Sequence, residues 1–363
     1  MPGPDQFAAV LTGLRPRADV RRAAEELWSD WLGAPFDLQE PAIRVTARAG
    51  VAIFPIDADD GEALLRNAET ALETAKTSGK ALVAYTERLS EHRTARVTLE
   101  RNLRDALERG EFVLHYQPKV ELKSRRLQGL EALIRWNNPE LGLVPPDRFI
   151  PMMEENGLIV DVGTWVLRQA SSDRARWLEQ QLNPPRIAVN VSTAQLRCDD
   201  FVRTVTDIVD AAGPDCGLDI EVTESLLMAD VADNLAKLAA VRTRGVNIAL
   251  DDFGTGYSSL SYLARLPVHA LKIDRSFIAD LHDDPCAMTL VSTIISLARA
   301  LRLETIAEGV QSEEQAKILR LLQCDQMQGD LICKPLPAAE MSVYLHRLLQ
   351  RCMSPSSQPR CDL

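Results

Sequence analysis

An α/β barrel of eight strands, preceded by a small α+β unit, is the architecture this sequence predicts, and three observations predict it. From about residue 112 to 335, short apolar runs recur at 113–117, 128–135, 186–191, 218–223, 246–251, 270–274, 304–308 and 326–332. Most are separated by helical stretches, at 161–181, 199–212, 227–244, 285–302 and 312–323. Strands that alternate with helices imply parallel pairing, because parallel strands need long crossover connections. Six of the runs carry a charged or amide side chain, as barrel strands do where they reach the catalytic face.

The elements follow in chain order. Residues 1–88 form a first unit, with apolar Ala23, Ala24, Leu27, Trp28, Trp31 and Leu32 at helical spacing. A strand-like run at 51–55 and a second helix over about 61–78 complete it. Residues 89–110 read as an Arg- and Glu-rich connecting helix whose apolar stripe is Val97, Leu99, Leu103 and Leu107. The barrel occupies 111–350, and the polar 351–363 reads as a flexible tail.

Composition narrows the function classes. The chain of 363 residues is 46% hydrophobic and 26% charged, which suits a folded globular protein rather than a disordered one. A net charge of -11 sets the surface against DNA or RNA, so an anionic ligand requires local cations. The seven cysteines (Cys198, Cys216, Cys286, Cys324, Cys333, Cys352, Cys361) lack zinc or redox spacing and read as the reduced thiols of a cytoplasmic protein. The five histidines are dispersed. No apolar run approaches the roughly 20 residues of a membrane span.

The acids and amides carry the chemistry. Glu131 lies in LQGLEALIRW, Asn190 ends RIAVN, and Glu221 sits in LDIEVTES. Asp251 and Asp252 end VNIALDD, Lys272 lies in ALKID, and Glu308 closes ETIAE. Taken alone, Lys272 reads as a partner for Asp274 or another acid. Each like-charge pair at ~4 Å costs on the order of 4 kcal/mol at an effective dielectric of 20. Five clustered carboxylates therefore need protons or cations. Oxygen donors without thiolate or imidazole suit Mg2+ or Mn2+, and the adjacent Asp251 and Asp252 suit a two-metal clamp.

The same residues give the chain a close resemblance, over about 95–348, to EAL-domain cyclic di-GMP phosphodiesterases. Its landmarks are Tyr116-Gln117-Pro118, EALIRW (131–136), FIPMMEENGLI (149–159), NVS (190–192) and EVTES (221–225). They continue through DDFGTGYSSL (251–260), LKIDRSFI (271–278), AEGV (307–310) and Gln328-Gly329. The resemblance implies the EAL form of the TIM-like (β/α)8 barrel and two Mg2+ or Mn2+, with Ca2+ binding unproductively. It implies that Glu131, Asn190, Glu221 and Asp251 hold the first ion, and that Asp251, Asp252 and Glu308 serve the second. Lys272, Glu308 and Glu131 are then the catalytic group; Gln117, Arg135 and Gln328 contact substrate; Glu224 anchors the loop after Asp252. Lys272 orients or deprotonates the attacking water, or meets transition-state charge. Gly254 and Gly256 suit a mobile loop there, or an ordinary tight turn. The product is linear pGpG, and the family's habit implies a homodimer in the cytoplasm, either free or as the cytoplasmic part of a larger sensor.

Two positions depart from the family pattern. Gln311 stands where an acid is usual in EGVE, and Asp330 stands where an aromatic is usual in QGYLFSKP. The first removes a negative charge. The second removes a stacking surface and adds a negative charge, which weakens affinity for an anionic purine ligand. The alternative reading is a catalytically weak or inactive cyclic di-GMP receptor. Residues 1–88 resemble the second half of a GGDEF diguanylate cyclase domain, through GPDQF (3–7), VTARAGVAIFP (45–55) and LLRNAETALETAKTSGK (64–80). Pro4 replaces a turn glycine and Gln6 a metal-binding carboxylate, so this unit is expected to be a partial, degenerate and inactive partner of the barrel.

Overall fold

The length of the connections decides how the strands pair. The structure, a computed structural model, describes residues 6–13, 47–213, 216–227, 231–254 and 263–353. It divides into two units, 1–102 and 103–363, with the division inside the helix Glu87–Ala106. The helix expected around Ala23 to Leu32, Pro4 and the tail from 354 lie outside the described residues.

In the first unit, strand β1 (Ala49–Val51) pairs in parallel with β2 (Leu82–Ala84), Ala49 opposite Leu82. The helix Gly61–Ser78 supplies the crossover. Asp60 starts it by accepting the Ala63 N–H at 2.7 Å, with Glu62 in the first turn and Lys76 in the last. Those charges complement the helix dipole, and Gly79 ends the helix at φ 69. Gly50 lets this helix lie close: a Cβ there would sit 2.1 Å from the Ala68 carbonyl oxygen. The strand expected over 51–55 stops at Val51. Beyond it the chain folds into a turn, with Ile53 N–H donating to Asp57 Oδ2 at 2.8 Å, and Pro55 has no N–H for a ladder.

The second unit contains β3 (Phe112–Glu121), β4 (Leu127–Asn138), β5 (Gly142–Val144), β6 (Arg186–Asn190) and β7 (Leu218–Thr223). It continues with β8 (Asn247–Phe253), β9 (Ala270–Ile273), β10 (Glu304–Ala307), β11 (Gln326–Gln328) and β12 (Leu336–Pro337). Eight of these close a ring in the order β3, β4, β6, β7, β8, β9, β10, β11 and back to β3, while β5 and β12 extend it at β4 and β3. This is the TIM-like barrel the sequence predicts, with one correction. From β4 to β11 the ring is parallel, but β3 runs antiparallel to both β4 and β11. Only residues 122–126 join β3 to β4, far too few for a crossover, so the two must form a hairpin.

Outward faces of the strands bury aromatic side chains. Tyr116 packs edge-on against Trp177 with ring centroids 4.9 Å apart, and its hydroxyl donates to Asp173 at 2.7 Å. Phe112, Trp136, Phe149 and Trp165 form a second cluster. Burying one such side chain contributes about 1.5–3 kcal/mol. The residues between them on the same strands, Gln117 and Lys119 among them, face the barrel interior.

The segment after β10 is clasped by the segment after β11. Val310 N–H donates to Gln328 O at 3.0 Å, and Leu331 N–H donates to Val310 O at 3.1 Å. A Cβ at Gly329 would lie 2.2 Å from Val310 O and 2.3 Å from Val310 N, so no larger residue fits. We therefore expect Gly329→Ala to destabilise the barrel by about 1–3 kcal/mol, read as a lower denaturation midpoint. A wild-type midpoint would show that the clasp tolerates the methyl group.

Candidate active site

The interior residues of the ring converge at the carboxyl ends of its parallel strands. Glu131 on β4, Glu221 on β7, Asp251 on β8 and Lys272 on β9 are buried, while Glu308 just after β10 is half-buried. Lys272 Nζ lies 2.5 Å from Glu221 Oε2, 2.5 Å from Glu308 Oε1, 3.1 Å from Asp251 Oδ1 and 3.6 Å from Glu131 Oε2. Asn190, at the end of β6, donates Nδ2–H to Glu131 Oε1 at 2.7 Å. Of the partners expected for Lys272 taken alone, Asp274 or another acid, it takes other acids. Asp274 instead caps the short helix Arg275–Ala279, accepting the Ser276 N–H at 3.0 Å.

Consecutive strand residues normally point to opposite faces, so both Asp251 and Asp252 reaching one rim needs a local break. Asp252 sits at φ 54, in the left-handed region, and the β8–β9 register shifts between Leu250 and Phe253. Aspartate tolerates that conformation better than most residues, and the kink re-aims its side chain. Asp251, Asp252 and Glu308 each present an oxygen within 4.8 Å of the others.

The expected substrate contacts divide. Gln328 donates Nε2–H to Glu131 Oε2 at 2.6 Å and to Gln117 Oε1 at 2.9 Å, while Gln117 Nε2–H donates to Cys333 O at 3.0 Å. These two amides therefore border the acids. Arg135, four residues beyond Glu131 on β4, is half-buried and donates to the Ile134 carbonyl at 2.8 Å. Glu224 is buried, and its Oε2 accepts the Gly254 N–H at 3.4 Å. Gly254 has φ 99, and Gly256 lies outside the described residues. Gln311 and Asp330 are both exposed.

One charged residue escaped the sequence reading. Lys119 on β3 is buried and lies 2.9 Å from Glu221 Oε1. Its signal is its place two residues after Gln117 on the same face of β3, but the apolar run expected at 113–117 stops short of it.

Burial raises the Glu131 and Asp251 carboxyls, neighbouring acids add to it, and Lys272 opposes both. Glu308 is pushed up to about 8 for the same reasons, burial first. Burial also raises Asp252, with Asp274 beside it. Among the acids around Lys272, Glu221 goes down, to about 2: burial opposes this, but Lys119 and Lys272 outweigh it. Burial works against the Lys272 ammonium too, yet Glu131, Glu221, Glu308 and Asp251 raise it well above its ordinary value. An anionic, oxygen-only cluster that one buried ammonium leaves partly protonated fits divalent cations by the chemistry of its donors.

The raised carboxyls make the native protein bind more protons than the unfolded chain above the ordinary glutamate value of 4.5. Without divalent cations, stability should therefore fall as pH rises from about 5 toward about 8. Glu221 has the opposite sign, but its contribution is fully present above 4.5 and is lost only toward about 2. His115 and His269, which burial lowers from 6.5, also have the opposite sign and act inside this window, so the comparison with Glu308→Gln isolates the carboxyl's share. Thermal denaturation in chelator should show Tm declining across that window, less steeply in Glu308→Gln, and flattening with saturating Mn2+. A Glu308→Gln profile in chelator no shallower than that of the wild type would overturn this assignment.

Comparison with known proteins gives the family. The EAL domain family matches residues 100–335, and the diguanylate cyclase GGDEF domain family matches residues 2–81. The bifunctional diguanylate cyclase/cyclic di-GMP phosphodiesterase MucR of Pseudomonas aeruginosa is 38% identical over 341 residues, covering 93% of this chain and 50% of that protein. The cyclic di-GMP phosphodiesterase PdeR of Escherichia coli is 36% identical over 352 residues, covering 96% of this chain and 53% of that protein. The chain thus spans about half the length of the curated relatives it matches. Among solved structures, the PaMucR phosphodiesterase in complex with c-di-GMP superposes with a TM-score of 0.65 at 43% identity, over 67% of this chain and 99% of that one. With the matched region covering more than half its length, the chain belongs to the EAL domain family.

Proposed function

We propose that this chain hydrolyses cyclic di-GMP to linear pGpG with the help of two divalent cations. One observation carries the reading. A single rim of the barrel brings together Glu131, Asn190, Glu221, Asp251, Asp252 and Glu308, so every cation ligand implied by the family resemblance is present. Relatives named as cyclic di-GMP phosphodiesterases support the substrate.

Those six residues would hold Mg2+ or Mn2+, which when bound supply a Lewis acid and lower the pKa of a coordinated water. The chain's own groups do the rest. Gln117 and Gln328 present amides beside Glu131, and Arg135 offers a guanidinium fork suited to a phosphate. Lys272, held as an ammonium by the acids around it, orients the attacking water and meets the charge that develops on the phosphate. The water oxygen forms the new P–O bond as the bond to the 3′ oxygen breaks; of the water's two protons, one ends on the departing 3′ oxygen and the other is released to solvent or stays on the new terminal phosphate. Glu224 fixes the backbone at Gly254 and so steadies the turn that follows Asp252.

Chromatography of cyclic di-GMP incubated with the protein and Mg2+ or Mn2+ tests this directly, with pGpG the expected product. Glu131→Ala should lower turnover by at least about 100-fold. Binding without pGpG would replace the enzyme with a receptor, and no binding would remove the substrate assignment. Asp330 offers a separate test. A base stacked on an aromatic contributes about 1 kcal/mol or more, so Asp330→Tyr should lower KM for cyclic di-GMP about fivefold with kcat unchanged. An unaltered KM would place Asp330 outside the substrate's reach.

A further inference from the structure

Lys119 stands outside the proposed ligand set yet inside the barrel, and its place is built. Its side chain is 8% exposed, and that of its partner Glu221 is 0% exposed. Strands β3 and β7 are not neighbours in the ring, so the lysine crosses the barrel interior to reach Glu221 Oε1 at 2.9 Å. The room comes from Gly129, which faces Lys119 across the β3–β4 pair. A Cβ at Gly129 would lie 3.0 Å from Lys119 Cε, so a larger residue would press on the chain carrying the ammonium.

Two lysines thereby divide the oxygens of Glu221. Oε1 belongs to Lys119, which stands with Gly129 one inward position deeper than the Gln117–Glu131 pair. Oε2 belongs to Lys272, which also contacts Glu308, Asp251 and Glu131. A cation entering among those acids competes with Lys272. Lys119 has Glu221 as its one carboxylate contact among the described residues and lies beneath the acids that would receive the cation.

The geometry points to Lys119 as a positioning residue that keeps Glu221 a one-oxygen ligand and so biases the site against Ca2+. This rests on the two-cation reading above. Ca2+ takes about six to eight oxygens and often engages both oxygens of a carboxylate, whereas Mg2+ demands a near-octahedral shell of single oxygens. An entering cation displaces Lys272 from Oε2 but leaves Lys119 on Oε1, so Oε2 is the oxygen that Glu221 has to give. Removing a nearby positive charge would strengthen every divalent cation together. The ratio between cations, not the affinity for one, therefore isolates the effect of position.

Calorimetric titration of the metal-free protein with Mn2+, Mg2+ and Ca2+, without substrate, tests the inference. Lys119→Met should shift the Ca2+-to-Mn2+ affinity ratio toward Ca2+ by about fivefold or more. An unchanged ratio in a folded variant would overturn the role of Lys119. Failure of the wild type to bind Mn2+ would instead overturn the cation site itself. Should Lys119→Met not fold, a crystal structure of the wild-type Mn2+ complex decides the matter. One Glu221 oxygen on the cation with Oε1 still on Lys119 supports the inference, and both oxygens on a cation refute it.

Discussion

Lys272 places one ammonium between Glu221, Glu308, Asp251 and Glu131, at 2.5–3.6 Å, inside a closed ring of strands. Buried charges of one sign are tolerable only when paired, and removing one partner from such a cluster leaves an expensive orphan. The fold meets this by recruiting each acid from a different strand. No single helix or hairpin could surround an ammonium with four carboxylates. The barrel's closure is thus an electrostatic requirement as well as a way of satisfying strand edges.

Reversing β3 extends what that closure can hold. A parallel strand would bring its carboxyl end to the rim, as β4 and β6 to β9 do. The antiparallel β3 instead descends into the barrel, so Gln117 meets Glu131 in register and Lys119 falls one layer lower beside Gly129. The hairpin that forces this reversal is therefore the reason a second ammonium lies beneath the acids. Its attraction, together with that of Lys272, holds Glu221 down while burial raises Glu131, Asp251 and Glu308.

The sequence made the ring strands legible because all but β11 are apolar runs bounded by polar residues, and acids within such runs stand out. Glu131, Asn190, Glu221, Asp251, Asp252, Lys272 and Glu308 were all readable on that basis. Three features were not. The direction of β3 depends on loop length, which apolar periodicity does not encode. The placing of both Asp251 and Asp252 on the rim depends on a left-handed residue at Asp252, where glycine would have given a clearer signal. Lys119 lies two residues beyond the apolar run at 113–117, and its place one layer below the acids depends on the reversed direction of β3. In the first unit, the apolar run at 51–55 overstated β1, since the turn around Asp57 competes locally with a two-stranded ladder.

Depth orders the chemistry of this barrel, and it also orders where the chain departs from its family. Lys119 and Gly129 form the lowest layer, the carboxylates around Lys272 the next, and the amides of Gln117 and Gln328 border them. The departures at Gln311 and Asp330 fall on exposed positions, beyond the buried acids. Changing a buried member of the cluster unbalances every charge it faces, because the low dielectric that strengthens pairing also penalises any gap in it. An exposed residue answers mainly to the ligand it meets, with water to screen the rest. Substitutions at exposed positions such as Gln311 and Asp330 can therefore be accommodated without unbalancing the buried charges around Lys272.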